Sequence, residues 1–232
     1  MTHHHGSLDE PTDPSVMFTP EYWDARYAGA EKIWSGKPNQ RLVEQAADLP
    51  PGRALEVGSG EGADAIWLAA RGWEVLGVDV SQVALDRSAA RAAAEGPDIA
   101  GRLRWQQVDV LSWEPEPAQY DLVSAQFMHL PRPALRVLHH RLAAAVRPGG
   151  SLLVVGHHPT DMETFGHGWR AGMLFTADDV IAALDREKWR ILAATAPERQ
   201  VVGPDGEPMH LRDAVLHAVR LPSPIQSGMA SR

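Results

Sequence analysis

Residues 54–66 read ALEVGSGEGADAI, and their reading decides the fold. An apolar run, residues 54–57, carries a single acid, Glu56, and leads into alternating glycines, Gly58, Gly60 and Gly62. Glycine lets a backbone adopt conformations closed to other residues and approach a ligand closely. The letters fit G-x-G-x-x-A over Gly58, Gly60 and Ala63, a dinucleotide fingerprint. They fit G-x-G-x-G equally, which suits a different nucleotide-like cofactor. Residues 63–71 behind the loop read as a helix closed by Gly72. Strand, glycine loop and helix together open an α/β unit.

The alternation continues downstream. Strands are expected over 74–78, 102–108, 120–125 and 151–156. Helices are expected from the Ser81 cap to about Glu95, over 133–146, and from the Thr176 cap to about Asp185, with Asp179 as a capping-box partner. Upstream, Thr19-Pro20-Glu21 starts a helix bearing Tyr22, Trp23, Arg26 and Tyr27. A second helix spans about 40–48 and ends before Pro50-Pro51-Gly52. The last strands are expected over 189–194 and 214–221. Gly203-Pro204-Asp205-Gly206 turns between them without a helix, so at least one of them is antiparallel. The class is therefore α/β: a mostly parallel sheet with helices on both faces. One domain over 19–222 is expected, with 19–50 as a helical front segment. Residues 1–18 and 223–232 read as mobile tails.

Composition narrows the function. Hydrophobic residues make up 44% of 232 and the formal net charge is −8. An acidic globular chain with scattered Arg and Lys is a poor match for nucleic acid. There is no cysteine, hence no disulfide, thiolate nucleophile or Cys-held metal. No apolar run reaches membrane-spanning length. A cytoplasmic protein, monomer or homodimer, is expected. His3, His4 and His5 read as a tag remnant or tail rather than a metal site.

Acids around the glycine loop separate the cofactors. Glu56 opposes a pyrophosphate but suits a cationic methionine end. Asp79, 23 residues on at the next strand tip, suits a carboxylate accepting ribose hydroxyls, or capping the helix it precedes. Asp109, at a third strand tip, suits an adenine amino group, or closing a turn. LEVGSGEG, GVDVS, QVDV, YDLVSAQFMHL and RPGGSLLVV follow one another over about residues 53–156. In that order the chain resembles the class I S-adenosylmethionine (SAM)-dependent methyltransferases. Its front end, YWDARY and IWSGKPN, looks like the small-molecule group of tellurite-resistance and thiopurine type. The resemblance implies a Rossmann-like seven-stranded sheet with the last strand antiparallel. It implies SAM at Glu56, Gly58, Ser59, Gly60, Asp79, Val80, Asp109, Val110 and Gln126. It also implies that the front segment is a lid over the cofactor, with Tyr22 and Trp23 helping to line the substrate pocket.

By its chemistry Trp34 suits a place against a sulfonium, and Arg26 suits a cofactor carboxylate. Trp23 and Trp34 equally suit a role as core anchors. His129 follows the fourth strand, and His157 and His158 follow the fifth, so all three are candidate proton acceptors at the ligand rim. His139, His140 and His217 lie inside elements and read as structural or solvated. The segment 159–175 carries Phe165 and Trp169 and reads as a second pocket wall. No inserted domain offers itself for a protein or RNA substrate, so the expected partner is a small methyl acceptor. The competing readings are an NAD(P)-dependent oxidoreductase, a non-catalytic SAM-binding module, and a metal-dependent catechol-type enzyme. The last would need Asp and Asn ligands near the fourth strand, where Asp121 stands alone.

Overall fold

The computed structural model describes residues 13–161, 172–202 and 206–222. Its elements run α1 (Pro20–Ala28), α2 (Gln40–Ala46), β1 (Arg53–Val57), α3 (Ala63–Ala70), β2 (Glu74–Asp79), α4 (Gln82–Ala94) and α5 (Pro97–Ala100). They continue with β3 (Leu103–Gln107), β4 (Tyr120–Gln126), α6 (Arg132–Ala145), β5 (Val146–His157), α7 (Ala177–Ile181), β6 (Trp189–Thr195), β7 (Glu198–Val202) and β8 (Pro208–Arg220).

The sheet order is β3-β2-β1-β4-β5-β8-β6, with β7 paired to β8. β1 pairs in parallel with β2 on one side and β4 on the other. Strand order reverses there, so a crevice opens at the carboxyl ends of β1 and β4, where the glycine loop begins. β8 runs antiparallel between β5 and β6. The Rossmann-like expectation holds: seven strands lie along the sheet with the last one, β8, antiparallel, and β7 adds an eighth off that path. The edge position beside β8 is filled twice, by β6 and then by β7. Pro197, which has no N–H to donate, stands between them.

Two apolar layers flank the sheet. On one face α6 and α7 bury Leu135, Leu138, Leu142, Val180 and Ile181. On the other, α2 and α3 bury Leu42, Ala46, Ile66 and Leu68. Such burial contributes about 1.5–3 kcal/mol per large side chain before the entropy cost.

Local signals held where the chemistry is local. Thr19 caps α1, Ser81 caps α4, and Thr176 with Asp179 forms a reciprocal capping box on α7. α7 is shorter than expected and ends at Ile181. Residues Pro14–Phe18, expected as mobile tail, form a 3-10 turn capped by Asp13. The Trp23 indole N–H donates to the Met17 carbonyl and ties that turn to α1. The other tail positions, 1–12 and 223–232, lie outside the described residues.

Candidate functional site

The glycine loop is pinned from below. The Gly58 and Ser59 amides both donate to the Val78 carbonyl at 2.9 Å. The Asp79 carboxylate accepts the Gly60 amide at 2.8 Å and the Ser81 amide at 3.0 Å. Asp79 thus fixes the loop and the start of α4 together. Burial raises its pKa, the amide donors Ser81, Gly60 and Val80 oppose this, and the nearby Asp24 adds to the rise. Gly58 has φ +71°, and a Cβ there would overlap the Met128 sulfur. Met128 therefore lies directly over the loop mouth.

Glu56 is 1% exposed, and its Oε2 has no hydrogen-bond partner among the described residues. Burial, then the Asp64 charge, holds its carboxyl well above the usual range, while the Ser124 hydroxyl opposes. Burial also lifts Asp64 to about 6 against the pull of the Asn39 amide. Ser59 Oγ and Gln126 Oε1 are likewise buried without a partner, while Gln126 Nε2 donates to Ser124 at 2.8 Å. A buried carboxylate oxygen without a donor is costly unless a cation or donor meets it. This donor-seeking set fits the ammonium end of a methionine-derived cofactor and would repel a pyrophosphate.

The segment between α1 and α2 lies across the loop. The Trp34 indole N–H donates to the Tyr27 hydroxyl at 2.9 Å, and both side chains face the position a Gly60 side chain would take. Burial, then the Asp79 charge, pushes the Tyr27 phenol upward, so it stays protonated. Glu61 accepts the Ile33 and Trp34 amides, and Asp64 accepts the Asn39 amide at 2.6 Å. Arg87 holds the Ala30 carbonyl and pairs with Glu61, and Asp24 accepts the Ser81 hydroxyl. Tyr27, Asp24, Glu61 and Asp64 escaped notice in the sequence as site-building residues. Only the acids just after the glycines signalled them.

Val80 is half-buried and Val110 is buried below the exposed Asp109. Asp109 closes a turn onto the Leu111 amide at 2.9 Å. Tyr22 packs edge-on to Trp23 with ring centres 5.7 Å apart. Arg26 lies over Trp23, and its buried Nε has no hydrogen-bond partner among the described residues.

The rim beyond β4 and β5 holds the histidines. Phe127 turns the chain at φ +53°, a conformation costing a bulky residue about 1–3 kcal/mol. Its ring lies 4.6 Å from that of His157, which stacks on His129 at 4.9 Å with 2° between the planes. His158 is used locally: its Nδ1 faces the Thr160 hydroxyl and accepts the Thr160 amide. His139 is buried and lowered to about 4 by burial, and His217 bridges Gln45 and Ser151. Both are structural, as expected. Phe165 and Trp169 lie outside the described residues.

Asp121 sits at the opposite end of β4, where it accepts the Arg53 amide and pairs with Arg147. Among the described residues no group of three or more His, Cys, Asp or Glu is placed to hold a metal. Among the described residues no helix is long and apolar enough to cross a membrane.

An antiparallel strand beside β5, a glycine loop over a buried acid and a second acid at the β2 tip complete a Rossmann-like α/β domain. Residues 54–150 match the family described as Methyltransferase domain. "Probable thiol methyltransferase 2" of Arabidopsis thaliana is 29% identical over 138 residues, 57% of this chain and 60% of the relative. The chain spans about half the length of the curated relatives it matches. The structure described under "Conversion of a Disulfide Bond into a Thioacetal Group during Echinomycin Biosynthesis" superposes at TM-score 0.68 and 22% identity, over 87% of this chain and 91% of that one. TehB from Haemophilus influenzae superposes at 0.63 and 16%, over 88% of this chain and 67% of that one. At these identities both structures speak for the fold.

Proposed function

We propose that this chain transfers the methyl group of SAM to a small, partly apolar nucleophile by in-line displacement, at the rim where β4 and β5 end. The observation that carries the reading is the Glu56 carboxylate, buried under the glycine loop with one oxygen lacking a donor. SAM, when bound, supplies an electrophilic methyl group and leaves as S-adenosylhomocysteine (SAH).

Glu56, Ser59 and the Gly58–Gly60 backbone receive the methionine ammonium, and Arg26 receives its carboxylate. Asp79 accepts the ribose hydroxyls on lone pairs not used by the Gly60 and Ser81 amides. Asp109, Val80 and Val110 hold the adenine, and Gln126 closes the methionine side. Residues 19–50 act as the lid, with Trp34 against the sulfonium. The lid excludes water and aligns the nucleophile, which is the protein's main contribution to such a displacement.

His157 and His129, stacked at the rim, take the acceptor proton where the nucleophile arrives protonated. His158, held by Thr160, stands behind them as a third acceptor. Tyr22 and Trp23 form one wall of the acceptor pocket. The test is an acceptor panel of thiols, phenols, heterocyclic amines and halides, scored for SAH release. Turnover on at least one class, lost on Asp79→Ala, is expected. SAM consumption on none of them would contradict the reading.

A further inference from the structure

Asp213 is 1% exposed and holds two guanidiniums, one on each oxygen. Arg41 Nε donates to Oδ2 at 3.1 Å, and Arg199 Nε donates to Oδ1 at 2.7 Å. The two arginines are used differently. Arg41 is buried, and its terminal nitrogens are occupied by Glu44 and the Glu198 carbonyl. Arg199 spends only its Nε, keeps 26% of its side chain exposed, and lies 5.6 Å over the Phe127 ring. Among the described residues no acceptor is seen for its terminal nitrogens.

Position makes this edge relevant. Asp213 is the β-sheet partner of His157. Arg199, Phe127, His157 and His129 therefore follow one another along the rim, with the Phe127 ring tilted 46° to that of His157 and His157 stacked on His129. A guanidinium fixed through Nε beside an aromatic ring presents its remaining N–H fork in a set direction. Such a fork matches a carboxylate, and Arg makes charge-assisted pairs of this kind stronger and more directional than Lys.

We propose that Arg199 selects the acceptor: the methyl acceptor is a planar carboxylate-bearing molecule. Its body lies against Phe127 and His157, and its anionic group is held by the Arg199 fork. The proposal rests on the methyltransferase reading for what happens next, but not for the binding itself.

The probes are 4-hydroxybenzoate and its neutral isostere 4-hydroxybenzamide. Each is titrated by ligand-observed NMR into SAH-saturated protein, with SAH affinity measured on the same samples. The carboxylate is expected to bind about tenfold tighter than the amide or better, a difference of about 1.4 kcal/mol. Arg199→Met should abolish that difference, leaving amide and SAH affinities unchanged. Arg199→Lys, which keeps the charge for Asp213, should recover part of it. If Arg199→Met does not fold, Arg199→Lys alone must still weaken the carboxylate selectively. Equal binding of the two probes, binding of neither, or parallel weakening of both in the variants overturns the role of Arg199. Wild-type protein that fails to bind SAH contradicts the methyltransferase reading instead.

Discussion

Asp64→Asn should stabilise the ligand-free protein, and only at high enough pH. Asp64 sits at the start of α3, accepts the Asn39 amide, and has its pKa raised from 3.8 to about 6 by burial. The unfolded chain ionises this group first. Stability is therefore full below pH 3.8 and is lost as pH rises through about 6. A shift of about two units at about 1.4 kcal/mol each gives about 3 kcal/mol lost by pH 8. Asparagine keeps an oxygen for the Asn39 amide and never ionises. Relief of the Asp64 charge on Glu56 works in the same direction. Asp64→Asn should thus gain about 2–3 kcal/mol at pH 8 and close to nothing at pH 4. For a domain of this size that is about 4–12 °C in Tm. Thermal melts of both proteins from pH 4 to 8 supply the check. An unchanged or lowered Tm for the variant at pH 8, or an equal gain at both ends, would refute the burial argument. The same variant should bind SAM more weakly, because Asp64 reinforces the negative field at Glu56.

Other outcomes follow from single contacts. Asp213→Ala leaves two guanidiniums facing each other and should cost about 3–5 kcal/mol in urea unfolding. Gly58→Ala forces a side chain onto Met128 at positive φ and should cost about 1–3 kcal/mol, with loss of SAM affinity in calorimetry. Trp34→Phe removes the bond to the buried Tyr27 hydroxyl and should cost about 1–2 kcal/mol. It should also weaken SAM binding if the segment closes over the cofactor. His157→Asn should lower kcat for a phenol acceptor while leaving SAH affinity intact; an unaltered kcat would exclude His157 as the proton acceptor.

The parts legible in the sequence are those set by neighbours in the chain. The glycines over Glu56, the Ser81 and Thr176 caps and the run of parallel strands each announce themselves within a few residues. β7 did not, because its residues alternate between half-buried and exposed and Pro197 interrupts the edge. The Arg41–Asp213–Arg199 node was invisible for another reason: Arg41 and Asp213 are 172 residues apart, and only the antiparallel insertion of β8 joins them. Phe127 carries no glycine to advertise its left-handed turn. The acids that fasten the front segment, Asp24, Glu61 and Asp64, reach partners 25 to 59 residues away, so their neighbours in the chain do not mark them.

The central claim is that Glu56, Asp79 and the loop between them form a SAM site. Calorimetric titration of SAM and SAH into the full chain tests it most directly. One-to-one binding of both is expected, weakened about tenfold or more by Glu56→Gln and lost on Asp79→Ala, with the variants folded by melting. Absence of heat and of any Tm shift with either ligand, or equal affinity in wild type and both variants, would contradict it.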